Sequence, residues 1–174
     1  MSILAGKLAL LVLVPMVGAG VAYPMTTKLG GGENQIELKT IDNFKRNCWV
    51  SIQGDQGEDN SFNKRLLACL EKKNSEKVRF YFYDKDKLSN SLPKEVTEVK
   101  YNGISSYNHS FTISLVGNEG NETINTPAST WNSVFNGSVE GVCRLESVKT
   151  LSEELKRLSC NNSSSQTLEE FKIN

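Results

Sequence analysis

Histidine is almost missing from this chain. His109 is the only imidazole in 174 residues, so a Ser-His-Asp or Cys-His site could be built only around it. His109 sits in Tyr107-Asn-His-Ser-Phe111 with no G-x-S-x-G turn, and an exposed loop histidine is the simpler reading. Net charge is missing too. Lys+Arg and Asp+Glu both number 20, and without Lys7 the remainder carries 19 against 20. No basic stripe is interleaved with aromatics, so nucleic acid is excluded as a partner class. No cysteine precedes Cys48, which removes a lipobox cysteine. The cysteines lack the short spacing of zinc ligands. The acidic groups Asp55 to Asp59 and Asp84-Lys-Asp86 lack the spacing and glycine of a calcium loop. Gly30-Gly31-Gly32 neither follows a strand nor leads a helix with a lysine, so it is no phosphate cradle. No catalytic, cofactor-binding or metal-binding residue is assigned, and no cofactor is implied.

Charge is also absent from Leu8 to Met25, and here the absence is informative. These 18 apolar or small residues follow Lys7 and would span about 27 Å as a helix, the short end of a bilayer core. Two readings follow. One is an uncleaved anchor over residues 1–25 with a flexible linker over 26–34; the other is a signal peptide cut after Ala22, before Tyr23. A buried helix of a soluble protein is the third. Lys7 and the amino terminus on the short flank favour an inside N-terminus and an outside body. The expected location is therefore a single-pass cell-membrane protein with an extracellular body, the lipid bilayer being one partner; secretion is the alternative.

Residues 35–160 are expected to form an α+β domain with a small, mostly antiparallel sheet and two helices. Cys48 to Ile52 alternates as a strand, ended by an acidic loop from Gly54 to Asn60. Phe62, Leu66, Cys69 and Leu70 fall at helical spacing, predicting a helix from about Ser61 to Lys73 that stops at Asn74. Val78 to Tyr83 is the clearest strand, with Val78, Phe80 and Phe82 inward and Arg79 and the tyrosines opposite. Further strands are expected at Glu95 to Tyr101, Phe111 to Val116 and Val139 to Leu145. Gly117 to Asn121 reads as a turn. Thr150-Leu-Ser-Glu153 matches a capping box ahead of Leu155 and Leu158, predicting a closing helix to about Ser159. Residues 161–174 read as a polar tail.

An even cysteine count in an exported body suggests two disulfides among Cys48, Cys69, Cys143 and Cys160. Pairing sequence neighbours closes loops of about 20 and 16 residues, each worth on the order of 3 kcal/mol in the chain-entropy model. This favours Cys48–Cys69 and Cys143–Cys160; the other two pairings and buried free thiols are the alternatives. Five N-x-S/T sites (Asn108, Asn121, Asn136, Asn161 and Asn162) would accept glycans in a eukaryotic secretory protein. In a chain so rich in Asn and Ser, several arise by chance.

The opening Met-Ser-x-Leu-Ala with Lys7 and the apolar segment ending in Gly18-Ala-Gly-Val-Ala22 form a recognisable layout. They precede a Lys/Asn/Ser-rich body with paired cysteines such as Cys143 and Cys160. That layout resembles the paralogous sets of small membrane-anchored proteins of haemotropic mycoplasmas. The resemblance covers the first 25 or so residues and the general plan. It implies a surface-exposed protein that contacts a host or cell-surface protein, and it carries over no functional residue. The reading is thus an anchored surface protein with a disulfide-bonded ectodomain for interaction or surface presentation rather than catalysis. The alternatives are a secreted glycosylated domain and a hydrolase whose site is unrecognised, with His109 as its only handle.

Overall fold

The computed structural model describes residues 35–56, 62–87, 92–105, 108–127, 131–132, 134–150, 152–161 and 164–173. The expected anchor and linker lie outside them. Among the described residues no helix is long and apolar enough to cross a membrane.

A short helix, α1 (Ile41–Asn47), opens the described chain; Thr40 caps it, its side chain accepting from the Asn43 N–H. Among the described residues after it are ten strands and one 3-10 turn at Val116–Asn118: β1 (Cys48–Gln56), β2 (Phe62–Leu70), β3 (Val78–Asp84), β4 (Lys94–Ser105), β5 (Asn108–Leu115), β6 (Asn121–Thr126), β7 (Asn136–Ser138), β8 (Cys143–Lys149), β9 (Glu154–Cys160) and β10 (Ser164–Glu170). All pairs are antiparallel, in the order β6-β5-β4-β3-β2-β1-β10-β9-β8, with β7 added to β4. The expected α+β class with two helices is therefore overturned: the fold is an antiparallel β-sheet with one short helix.

Both mistaken helices have physical causes. Leu66, Leu67, Ala68 and Cys69 of β2 are all fully buried, because β2 is covered on both faces. One face joins Phe80, Phe111 and Ile124 in the main core; the other joins Phe44, Tyr83 and Phe171 in a second, smaller one. A strand buried on both sides loses its alternation and becomes a continuous apolar run that a helix could equally produce. Asn74, expected to stop the helix, instead takes a positive φ of 60° in the β2–β3 turn.

The capping signal at Thr150 is real but serves a hairpin. Thr150 Oγ1 accepts from the Glu153 N–H at 3.1 Å and the Thr150 N–H donates to the Glu153 carbonyl at 2.9 Å, which turns β8 into β9. The side-chain contact is the one an N-cap makes three residues on; here Lys149 pairs with Glu154 and extended chain follows. Leu151, inside the capping-box match, lies outside the described residues.

Residues expected as a polar tail supply β10, which lies between β9 and β1 and buries Leu168, with Phe171 just beyond. Of the expected Val139 to Leu145 strand only Cys143 to Leu145 is extended, at the start of β8; β7 ends at Ser138 and a turn occupies Glu140 to Val142. The acidic loop begins later than expected, since β1 continues through Gly54 to Gln56.

β1 changes partner part-way along. Trp49 and Val50 pair with Glu170 and Glu169 of β10, then the register against β2 slips between Val50 and Ile52. Beyond this bulge β1 runs beside β6, so closely that a Cβ at Gly54 would stand 2.3 Å from the Asn125 carbonyl oxygen. Bulges are where strands bend from one sheet layer to another. The Ser51 hydroxyl donates to the Leu66 carbonyl at 2.9 Å, so the extra residue is not left unsatisfied.

Candidate binding cleft

Cys48 lies directly opposite Cys69 on β1 and β2, and Cys143 opposite Cys160 on β8 and β9. Each register pair is a disulfide, with Cα atoms 4.0 Å and 4.1 Å apart. The described residues contain no free cysteine. All four sulfurs belong to buried residues, Cys48 and Cys69 in the smaller core and Cys143 and Cys160 in the larger.

The other residues weighed in the sequence are scattered. The His109 Nδ1 stands 3.0 Å from the Tyr101 hydroxyl, its ring 5.8 Å from the Tyr101 ring on paired strands. This is a packed, half-buried aromatic pair. Asp84 is buried, and its Oδ1 accepts from the Asp86 N–H at 3.1 Å, while Asp86 accepts from Asn63 Nδ2 at 2.7 Å. These carboxylates organise a turn. No group of three or more His, Cys, Asp or Glu able to hold a metal occurs among the described residues. The Asp55 and Asp59 side chains fall outside them. Asn108, Asn121, Asn136 and Asn161 are exposed; Asn162 lies outside the described residues. Tyr81 and Tyr83, expected to face outward from the strand, do so but are covered: Phe44 of α1 meets the Tyr81 ring edge-on at 5.1 Å and Phe171 does the same to Tyr83.

The structure opens elsewhere. Just before β3, Lys77 bridges Arg144 of β8 and the Glu76 carbonyl accepts from the Leu145 N–H at 2.8 Å. Four residues after Lys77, β3 pairs with β4, at Tyr81–Glu95 and Phe82–Lys94. Between these attachments β4 and β8 diverge, leaving a cleft of about 840 Å³. That volume is within the range of small-molecule and short-peptide pockets. Its floor is Val78, Phe80, Val96, Val139 and Cys143, all buried, and Val116 stands exposed at the rim.

Charge surrounds this floor. The carboxylates are Glu71, Glu76, Glu95 and Glu140, and the cations are Lys77, Arg79 and Arg144. Arg79 reaches Glu71 at 3.1 Å and Glu95 at 3.5 Å, tying β3 to the end of β2 and to β4. Burial by itself would lower the Arg79 guanidinium; the hydrogen bond to Glu71 and the charge of Glu95 outweigh it and hold the group above its ordinary range. Arg144 is held by Glu146 at 2.7 Å. The arrangement supplies fixed charge around an apolar floor, the layout of a binding pocket.

Sequence reasoning did not find this cleft. Its lining comes from the ends of β2, β3, β4, β7 and β8, and residues so far apart carry no local spacing signal. Comparison with protein-family models, with curated proteins and with solved structures returns no match.

Proposed function

We propose that this chain is a membrane-anchored surface protein. In this reading residues 1–25 hold it in the bilayer, and the β-domain stands outside the cell as a non-catalytic interaction module. The observation that carries the reading is the pair of disulfides, each joining directly opposed strands inside a core. Such bonds persist in oxidising compartments and are rare where thiols are kept reduced. The uncharged run from Leu8 to Met25 supplies the route across. The charged cleft between β3, β7 and β8 is the binding site in this reading, and a host or cell-surface protein is its partner.

Intact cells treated with an impermeant protease test the location. The domain should be degraded on unpermeabilised cells and the chain should partition with membranes. A protease-protected domain in the soluble fraction would remove the proposal. A second reading, a secreted domain cut before Tyr23, draws on the exposure of Asn108, Asn121, Asn136 and Asn161. An intact mass starting at Tyr23 with added sugar would replace the first reading with this one.

A further inference from the structure

Along one edge, β1 leaves β10 and runs on beside β6, and the chain at β3 passes from a bridge with β8 to pairing with β4. The two junctions differ in one respect. At the β1 junction the gap is filled by the chain itself, since Trp131 lies there fully buried and donates its indole N–H to the Ser51 carbonyl at 2.9 Å. At the β3 junction, between the Lys77–Arg144 bridge and the Tyr81–Glu95 pair, no side chain among the described residues plays that part and the cleft remains.

Its charges are unbalanced. Four carboxylates face three cations, and Arg144 is further offset by Glu146, which is not part of the lining. Arg79 is shared by Glu71 and Glu95. Glu76, Glu140 and Lys77 enter no ion pair among the described residues, so one net negative charge is available to an incoming group. In the same cleft Val116 at the rim and Val139 on the floor offer apolar surface. A long cationic side chain has the matching layout, an aliphatic stem to lie on the valines and a charged head for the carboxylates.

We propose that the cleft receives a lysine- or arginine-bearing segment of a partner protein, with the stem on Val116 and Val139 and the head between Glu76 and Glu140. This rests on the cleft being the binding site of the proposed function and names the chemistry of what enters it.

The test uses the full, disulfide-intact chain in detergent micelles, with methyl NMR signals of Val116 and Val139 as the readout. The probes are acetylated and amidated tripeptides with valine at both ends and lysine, norleucine or glutamate between. The lysine peptide should shift those signals, while norleucine and glutamate should bind far more weakly. Glu76→Gln together with Glu140→Gln should weaken the lysine peptide about tenfold, the scale of one lost charge-assisted hydrogen bond. Lys77→Gln should leave binding intact or strengthen it. Equal binding of lysine and norleucine peptides would overturn the cationic inference and leave the cleft as a binding site. No shift with any peptide would overturn both the inference and the cleft's role. Equal weakening by all three substitutions would show a merely structural effect and would overturn the inference alone.

Discussion

The indole N–H of Trp131 donates to the carbonyl of Ser51 across 2.9 Å, eighty positions away in sequence, at the bulge where β1 leaves β10 for β6. The bulge frees a carbonyl that a regular ladder would have used, and Trp131 both satisfies that oxygen and fills the space beside it, packed on Phe135. Trp131→Ala should cost roughly 3–5 kcal/mol, the range for removing a buried aromatic. Trp131→Phe keeps most of the volume but leaves the carbonyl unsatisfied, for about 1–3 kcal/mol. Urea denaturation of the three proteins measures this; an unchanged midpoint in both variants would show that Trp131 does not secure the junction.

Gly54 tests the other side of the same junction. An added methyl would meet the Asn125 oxygen and Ile124 Cγ2 at 2.3 Å each, and one contact is backbone, which cannot swing away. Gly54→Ala is expected to destabilise by roughly 1–3 kcal/mol through overpacking. The thermal midpoint should fall, and hydrogen exchange should quicken along β6 before it does along β9. Unaltered exchange along β6 would contradict the close approach.

The cleft pairs should matter little to stability. The Arg79 side chain is 42% exposed, and ion pairs this accessible contribute at most about 1 kcal/mol. Arg79→Gln should leave the denaturation midpoint within that margin while altering the charge at the cleft mouth. A loss of several kcal/mol would mean that Arg79 is a structural strap rather than part of a binding rim.

Alkali should unfold the smaller core. Burial raises the Tyr83 and Tyr81 phenols above their ordinary value, with nearby carboxylates adding to it and Arg65 and Arg79 opposing. A raised folded-state value means the folded chain holds the proton more tightly. The associated stability is fully present below the unfolded value of about 10 and is lost as pH rises through the folded ones. Tyr83→Phe, which cannot ionise, should shift alkaline unfolding to higher pH, as followed by near-ultraviolet circular dichroism. An identical alkaline transition would remove Tyr83 as a contributor.

Some of this architecture is legible in the residues and some is not. Strands whose residue types alternate announce themselves: Phe111 to Leu115, with one buried face, is β5, and Val78 to Tyr83 is β3, although Tyr83 is buried on the opposite face. β2 is hidden because Leu66 to Cys69 is buried on both sides. β6, Asn-Glu-Thr-Ile-Asn-Thr, and β10, with Leu168 as its buried apolar residue, are too polar to signal themselves. Their place comes from pairing with β5, β9 and β1. Pairing across the chain is tertiary information, and local propensity yields to it. The cleft is less legible still, since Glu76 and Glu140 come to line one cleft only through the attachment of the segment before β3 to β8.

The state of the four cysteines decides the account most directly. Each disulfide closes a loop, with sequence separations of 21 and 17, and is worth about 3 kcal/mol. The measurement is the intact mass of the protein from its own cells, unfolded in the presence of an alkylating reagent, with and without prior reduction. The account predicts no label before reduction and four after it, in a full-length chain recovered with membranes. Four labels without reduction would contradict the disulfides and, with them, the extracellular placement that the proposed function requires.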